Sequence, residues 1–345
     1  MKKDNDGREE MRRAVEGWNG ARVLILGDMI LDEFILGRTD RVSREAPVVV
    51  VRYDETSYCP GGAANAAQNV VALGGRAVPV SVIGGDVAGV VLKKLLAENG
   101  MTVRGVIAAR TIRTTTKTRV MGGDFHAQRQ QVVRIDRENE APIGAAIEDR
   151  ILSAFRRELP RAQAALMSDY AGGVFTPRVI REAVALCRRA RVPVVVDSRY
   201  ALGRFRGATT ATPNEVEASE AAGIPLGGKA ALERIGRTLL ERLHARSILV
   251  TRGKFGMMLC EAGKRSVSVD VVGSREATDV TGAGDTVAAS VALSLAAGLA
   301  MPLAMRLANV AASIVVMKRG TAVATVPELL ERIDELETGE RSPRG

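Results

Sequence analysis

Short aliphatic runs alternate with helix-length segments along most of this chain, and that rhythm leaves few folds open. Runs rich in Val, Leu, Ile and Ala stand at 22–27, 78–83, 164–168, 192–197 and 247–251. They lack the polar alternation of a half-exposed strand, so each reads as a strand buried on both faces. Helices are expected between them at 63–73, 89–99, 147–159, 177–190, 214–222 and 229–244. Gly74, Gly100 and Gly223 mark three of the stops. Shorter strands are expected at 208–211 and 257–261, and two long small-residue helices at 284–299 and 303–318. A strand that returns parallel to its neighbour needs a crossover, usually helical, and such helices cover both faces of the sheet. The expected fold class is α/β: a three-layer α/β/α sandwich with a mostly parallel central sheet.

Two β-rich stretches interrupt the rhythm. Residues 48–51 are all valine but the first is preceded by proline, and 114–137 alternates in a β-prone manner around a Gly122-Gly123 turn. These pieces, near 33–55 and 105–135, are expected to form a small β lid on the main domain. The segment from Gly122 to His126 makes that hairpin long. Residues 1–20 read as a polar leader with some helical character, 21–335 as one domain, and 336–345 as a frayed tail. No internal repeat is visible.

Charge and composition narrow the partners. Lys plus Arg number 49 against 40 Asp plus Glu, a formal +9, but the basic residues are scattered. That suits an anionic small molecule such as ATP or a sugar phosphate better than nucleic acid. Aromatics are only 3%, which also argues against base stacking. Cys59, Cys187 and Cys260 are far apart and His126 and His244 are the only histidines, so neither a disulfide framework nor a Cys/His metal site is expected. The N-terminal residues lack an apolar signal-peptide core, and 290–305 is too short and too broken by Gly298 and Pro302 for a membrane span. The expectation is a soluble, reduced, cytoplasmic protein with no membrane or nucleic-acid partner.

The sharpest chemical segment runs Asp279-Val-Thr281-Gly282-Ala283-Gly284-Asp285-Thr286 into a long helix. Small residues at a helix start let an anion approach outward-pointing N–H groups. An aspartate beside that cradle can take a proton from an attacking hydroxyl, which together makes the parts of phosphoryl transfer. From local chemistry alone, Asp285 reads equally as a helix cap beside a tight turn. A near match to a P-loop at 223–230 has Ala230 where a hydroxyl is needed and follows a helix, so it reads as a helix-to-helix loop.

Residues 279–286, together with Pro60-Gly61-Gly62-Ala63-Ala64-Asn65-Ala66-Ala67, resemble the two signatures of the PfkB (ribokinase-like) carbohydrate kinases, in the right order. The resemblance covers about 20–335. It implies a ribokinase-like fold and ATP-dependent transfer to a sugar hydroxyl, with Asp285 as base and the backbone of Gly282, Ala283 and Gly284 as anion hole. It places Asp28, Asp32, Gly61, Gly62 and Asn65 at the sugar. Asn214 and Glu217 fit the N-x-x-E motif that organises Mg²⁺, with Glu217 acting through water. Thr251, Gly253 and Gly256 fall beside the nucleotide, and Asn309 near the adenine. Asp279, Thr281 and the loop at Gly320-Thr321 fall where some relatives bind a monovalent cation such as K⁺.

Further segments are similar to the heptose-7-phosphate kinases of that family, among them Arg41-Val-Ser-Arg44-Glu45-Ala46-Pro47-Val48, Thr116-Lys117-Thr-Arg119-Val120 and Met167-Ser168-Asp169-Tyr170. Such a substrate carries a distal phosphate. Arg41, Arg44, Lys117, Arg119, Arg129 and Arg134 are the candidates to meet it, and Lys117 and Arg119 should share one strand face. One departure stands out: Asp197-Ser198-Arg199 occupies the place where those kinases carry Asp-Pro-Lys. No nucleotidyl His-x-x-His motif occurs, so a one-activity kinase is expected. Other sugar or nucleoside kinases of the family, or a silent sugar-binding relative, are the competing readings. The lid's open β edge suggests a homodimer through lid pairing.

Overall fold

The computed structural model describes residues 2–123, 129–139, 142–273 and 276–336. The first elements are α1 (Lys2–Glu16), β1 (Arg22–Gly27), β2 (Met29–Val42), β3 (Val49–Gly62), α2 (Ala63–Ala72), β4 (Arg76–Gly84), α3 (Val87–Glu98) and β5 (Gly105–Ala109). There follow β6 (Thr116–Gly123), β7 (Gln130–Arg137), α4 (Ala145–Glu158), β8 (Ala164–Asp169), α5 (Pro177–Ala190) and β9 (Val194–Ser198). The chain continues through β10 (Thr210–Ala211), α6 (Glu215–Ala222), α7 (Gly228–Leu243), β11 (Ser247–Thr251), β12 (Met257–Glu261) and β13 (Val267–Val269). It closes with α8 (Ala283–Ala296), α9 (Met301–Val315) and α10 (Val326–Glu335).

The main sheet has nine strands in the order β13-β12-β11-β10-β9-β8-β1-β4-β5. Pairings from β11 to β5 are parallel, while β12 and β13 join antiparallel. Alternation across the pleat divides each central strand between two cores. In β1, Val23 and Ile25 face the core under α1, α2, α8, α9 and α10, whereas Leu24 and Leu26 face the core under α4, α5, α6 and α7. Chain order runs outward in both directions from the β1/β8 pair, which makes that pair the topological switch point. Ligands of open α/β sheets bind outside the carboxyl ends of strands at such a point.

The lid is a four-stranded sheet, β3-β2-β6-β7. Its boundaries correct the expected ones. Residues 105–109 do not belong to it: Val106 and Ile107 are buried in opposite cores, so β5 is the edge strand of the main sheet. The first lid hairpin is longer than 33–55, because β2 and β3 pair from Met29↔Gly62 to Val42↔Val49 with two register shifts that bend it. Residues 124–126 of the expected long hairpin and 337–345 of the expected tail lie outside the described residues. The polar leader holds an apolar stripe: Met11, Ala14, Val15 and Trp18 are buried in the first core, and Arg12 pairs with Asp334 of α10. The 223–230 segment is a helix-to-helix loop, with Gly223 (φ 65°) closing α6 and Gly228 (φ 78°) opening α7. Among the described residues no helix is long and apolar enough to cross a membrane.

Candidate active site

Four chain segments converge over the carboxyl ends of β1, β8 and β9. The first is the start of α8. Gly282 caps that helix with φ 80°, and no side chain caps its first turn. The Ala283 N–H donates to the Val280 carbonyl at 3.3 Å, and with no side-chain cap the rest of this helix start suits an anion from outside the helix. A Cβ on Gly282 would lie 2.8 Å from Nδ2 of Asn65, so the glycine is needed for close approach as well as for its φ. Gly284 is different: it is exposed, and a Cβ there would meet nothing within 4 Å. Ala283 stands between them as the first helical residue.

Asp285 sits in the first turn of α8 and is only 3% exposed. Burial pushes its carboxyl up to about 6, partly offset by hydrogen bonds from Asn65 and Tyr170. Asn65 Nδ2 donates to Oδ2 at 2.7 Å and the Tyr170 hydroxyl donates to Oδ1 at 2.9 Å. Asn69 Nδ2 donates to the Asn65 side-chain Oδ1 at 3.4 Å and to the Asn65 backbone carbonyl at 3.0 Å, which orients the Asn65 amide, while Thr286 Oγ1 donates to Asn69 Oδ1 at 2.7 Å. A buried polar network thereby bolts α2 to α8.

The sugar-side candidates divide into two groups. Asp32, near the start of β2, is buried and accepts from Arg119 of β6 at 2.6 Å. Gly61 packs against it, with no room for a Cβ beside Oδ2 of Asp32. Lys117 and Arg119 share a lid face with Asp32, as alternation requires. Burial and the charges of Arg134 and Arg199 depress the Lys117 ammonium. Asp28 has another task. Its oxygens accept from the N–H groups of Tyr170 at 2.9 Å and Val174 at 3.0 Å, so its carboxylate also holds the loop after β8. Burial pushes its carboxyl up to about 6. Gly62 (φ 55°) turns β3 into α2, and the Ala63 N–H donates to the Asp28 carbonyl.

On the other side of the crevice, Asn214 and Glu217 form a capping box at the start of α6. Asn214 Oδ1 accepts from the Glu217 N–H and Glu217 Oε2 accepts from the Asn214 N–H, both at 2.9 Å. That leaves Oε1 of Glu217 uncommitted by the box, on a carboxyl raised by burial. Thr251 bridges to Asn214, and Gly253 (φ 52°) and Gly256 (φ 78°) shape the turn that follows. Asn309 of α9 donates to the Asp270 carbonyl at 2.7 Å, fixing the chain after β13. Asp279 accepts from the N–H groups of Thr281 and Gly320, both at 2.9 Å, and so brackets the 279–282 turn against the 320 loop.

Of the other basic candidates, Arg129 pairs with Asp54 and Arg134 with Asp136. Arg41 and Arg44 are exposed at the far end of the lid. Two residues had no assigned role in the sequence: Tyr170, and Arg199, whose guanidinium lies 4.6 Å from the Tyr170 ring centroid. Arg199 is close enough for its charge to act on Asp285, Asp197, Glu217 and Lys117. The sequence signal for Asn69 was its place one helical turn after Asn65.

Comparison with known proteins agrees with this geometry. The model of the pfkB family of carbohydrate kinases matches residues 21–329. The bifunctional protein HldE of Geobacter metallireducens is 41% identical over 308 residues, covering 89% of this chain and 62% of that protein. The chain thus spans about three-fifths of the length of the curated relatives it matches. In structure it is similar to Arabidopsis thaliana ribokinase complexed with ribose and ATP. The TM-score is 0.70 at 18% identity, over 91% of this chain and 99% of that one. It is also similar to Escherichia coli phosphofructokinase-2 in complex with potassium, with TM-score 0.73 at 18% identity, over 92% of this chain and 99% of that one. A buried aspartate at an uncapped helix start, two signatures joined in one site and a family match over nearly the whole described chain together mean that this chain belongs to the pfkB family of carbohydrate kinases.

Proposed function

We propose that the chain moves the γ-phosphoryl group of ATP onto a hydroxyl of a phosphorylated sugar. The substrate we assign is D-glycero-β-D-manno-heptose 7-phosphate, giving the 1,7-bisphosphate. The observation that carries the chemistry is Asp285: buried, raised to about 6, and set in the uncapped first turn of α8. A carboxylate tuned towards neutrality is a better proton acceptor than an ordinary surface aspartate, yet is still ionised at physiological pH. In this reading Asp285 takes the proton of the acceptor hydroxyl. The sugar oxygen bonds to the γ-phosphorus as the bond from phosphorus to the bridging oxygen breaks, and ADP leaves with that electron pair. In this reading backbone N–H groups at the start of α8 face the charge on the transferring group.

The heptose assignment rests on the resemblance to heptose-7-phosphate kinases and on the HldE alignment along this chain's length. Lys117 supports a distal anion: it is a half-buried cation facing Arg134 and Arg199. The Asp197-Ser198-Arg199 departure lies beside the same crevice and favours a second reading, a kinase for another sugar phosphate such as a hexose phosphate. Coupled ADP release with Mg-ATP and the heptose phosphate, run beside fructose 6-phosphate and ribose, separates the two. Turnover confined to the heptose supports the first reading, and turnover with another sugar replaces it by the second.

The donor set fits Mg²⁺ held with ATP. Among the described residues no three His, Cys, Asp or Glu side chains group closely enough to cage a bare ion. The free oxygen of Glu217 suits an ion that keeps its waters and takes phosphate oxygens. Such an ion supplies charge neutralisation to the phosphates. For a monovalent cation we assign the Asp279–Thr281 turn and the Gly320 loop. Burial there opposes ionisation of Asp279, but hydrogen bonds from Thr281 and Gly320 outweigh it and hold the carboxyl below its usual range. We further propose a homodimer through the lid. Tyr58, Val133 and Ile135 are exposed on the face opposite Asp32 and Lys117, where a second lid would cover them. Cys59, Cys187 and Cys260 are free thiols, which fits a cytoplasmic enzyme.

A further inference from the structure

Tyr170 is fixed at three points by three different partners. Its backbone N–H donates to Asp28 Oδ2 at 2.9 Å, its ring lies under the Arg199 guanidinium at 4.6 Å, and its hydroxyl donates to Asp285 Oδ1 at 2.9 Å. The loop that carries it is pinned again where Asp169 Oδ1 accepts from the Ala171 N–H at 3.0 Å, with Ala171 at φ 60°. A non-glycine residue in that region is strained, so the surrounding contacts hold the loop in this shape.

A carboxylate has about four acceptor sites. Asn65 takes one on Oδ2 of Asp285 and Tyr170 takes one on Oδ1, which fixes the plane of the group and leaves capacity on each oxygen for a substrate hydroxyl. Burial and the Asp285 charge push the Tyr170 phenol well above its usual range, so it remains a donor and does not compete as the base. The charged groups that act on Asp285 besides these two donors are Arg199 after β9 and Asp32 on β2. The Asp285 charge acts in turn on Asp197 of β9.

We propose that Tyr170 is a positioning residue for the reaction, aiming the Asp285 carboxylate at the acceptor hydroxyl, and that Arg199 holds the Tyr170 ring in place for that purpose. This rests on Asp285 being the base. It also gives the Asp197-Ser198-Arg199 departure a physical role: a planar guanidinium stacks on an aromatic face, which the compact lysine ammonium does less well.

Tyr170→Phe keeps the ring and its stacking and removes one donor. Wild type, Asp285→Asn and Tyr170→Phe are compared by pH profiles of kcat/KM with Mg-ATP and the panel sugar that wild type accepts. In parallel, enzyme labelled with ¹³Cγ-aspartate is titrated without substrate, the Asp285 signal being the one lost in Asp285→Asn. Loss of a hydrogen bond to a charged group is expected to move that titration and the acid limb of kcat/KM upward by about one pH unit. Above the limb, kcat should fall roughly ten- to hundredfold, while KM for sugar and for ATP stays within about twofold. An unmoved titration and limb would overturn the proposal, and so would a raised sugar KM with an unmoved titration, which makes Tyr170 a substrate contact. Should Tyr170→Phe fail to fold, Arg199→Lys reads the same relay. It is expected to shift the limb in the same direction by less and to lower kcat several-fold, roughly. An Arg199→Lys enzyme equal to wild type would remove Arg199 from it. Failure of the base reading looks different: Asp285→Asn would turn over as wild type does, and the ¹³C titration would still test the Tyr170 contact.

Discussion

Asn65 and Asp285 are 220 positions apart in the chain, yet the side-chain amide of one donates to the carboxylate of the other at 2.7 Å. This bond joins the start of α2 to the start of α8, and with them the two small-residue signatures. Asn65→Ala leaves a buried carboxylate oxygen and the Asn69 amide short of a partner. A cost of about 1–3 kcal/mol in unfolding free energy is expected, together with a loss of turnover. Urea unfolding and ADP release on the same samples check both.

The two glycines flanking Ala283 should respond differently to alanine. Gly282→Ala needs a positive φ and puts a Cβ against Asn65, so it should lower both stability and turnover. Gly284→Ala adds a methyl to open space in a helix, which should leave stability unchanged or raise it by up to about 1 kcal/mol. That methyl projects from the turn where the phosphoryl group would lie, so turnover should still fall. Melting temperature and kcat for the pair separate space needed for folding from space needed for the anion.

Activity and stability should move in opposite directions below neutral pH. Asp285 must be ionised to accept a proton, and its carboxyl stands at about 6, so kcat/KM should fall as pH drops through about 6. The folded carboxyl lies above its ordinary 3.8, so between those values the native state binds more protons than the unfolded chain. Stability from this group therefore declines as pH rises through that window, and Asp28 acts in the same sense. Thermal unfolding across the window should show a steeper decline for wild type than for Asp285→Asn. Equal slopes would contradict the burial of an ionisable Asp285.

The outer lid face carries Tyr58, Val133 and Ile135 in the open. Wild type should run as a dimer in size exclusion with light scattering, and Ile135→Lys should shift it to monomer by placing a charge at that surface. A monomeric wild type would contradict lid pairing.

The parallel sheet was legible because its strands are apolar on both faces, and the spacing of Gly223 and Asn214 announced the α6 boundaries. The lid limits were less legible. Gly105–Ala109 reads like any short β-prone run, and only the burial of Val106 and Ile107 in opposite cores assigns it to the main sheet. The stripe of Met11, Ala14, Val15 and Trp18 hid among charges, since an amphipathic helix with a polar mean looks like a solvated leader until its docking surface is known. At the site, the signatures located Asp285 and Asn65, but not that each oxygen of the aspartate has its own donor. The resemblance placed Asp28 at the sugar, but not the loop that its carboxylate holds. The N–H groups of Tyr170 and Val174 that donate to it lie more than a hundred residues away, where no local pattern points.

Phosphoryl transfer through Asp285 is tested most directly by one comparison: ADP release from Mg-ATP by wild type and by Asp285→Asn, each with D-glycero-β-D-manno-heptose 7-phosphate. The account predicts turnover by wild type and a loss on the order of a thousandfold or more in a variant that keeps its fold. Equal turnover by the two enzymes would contradict it.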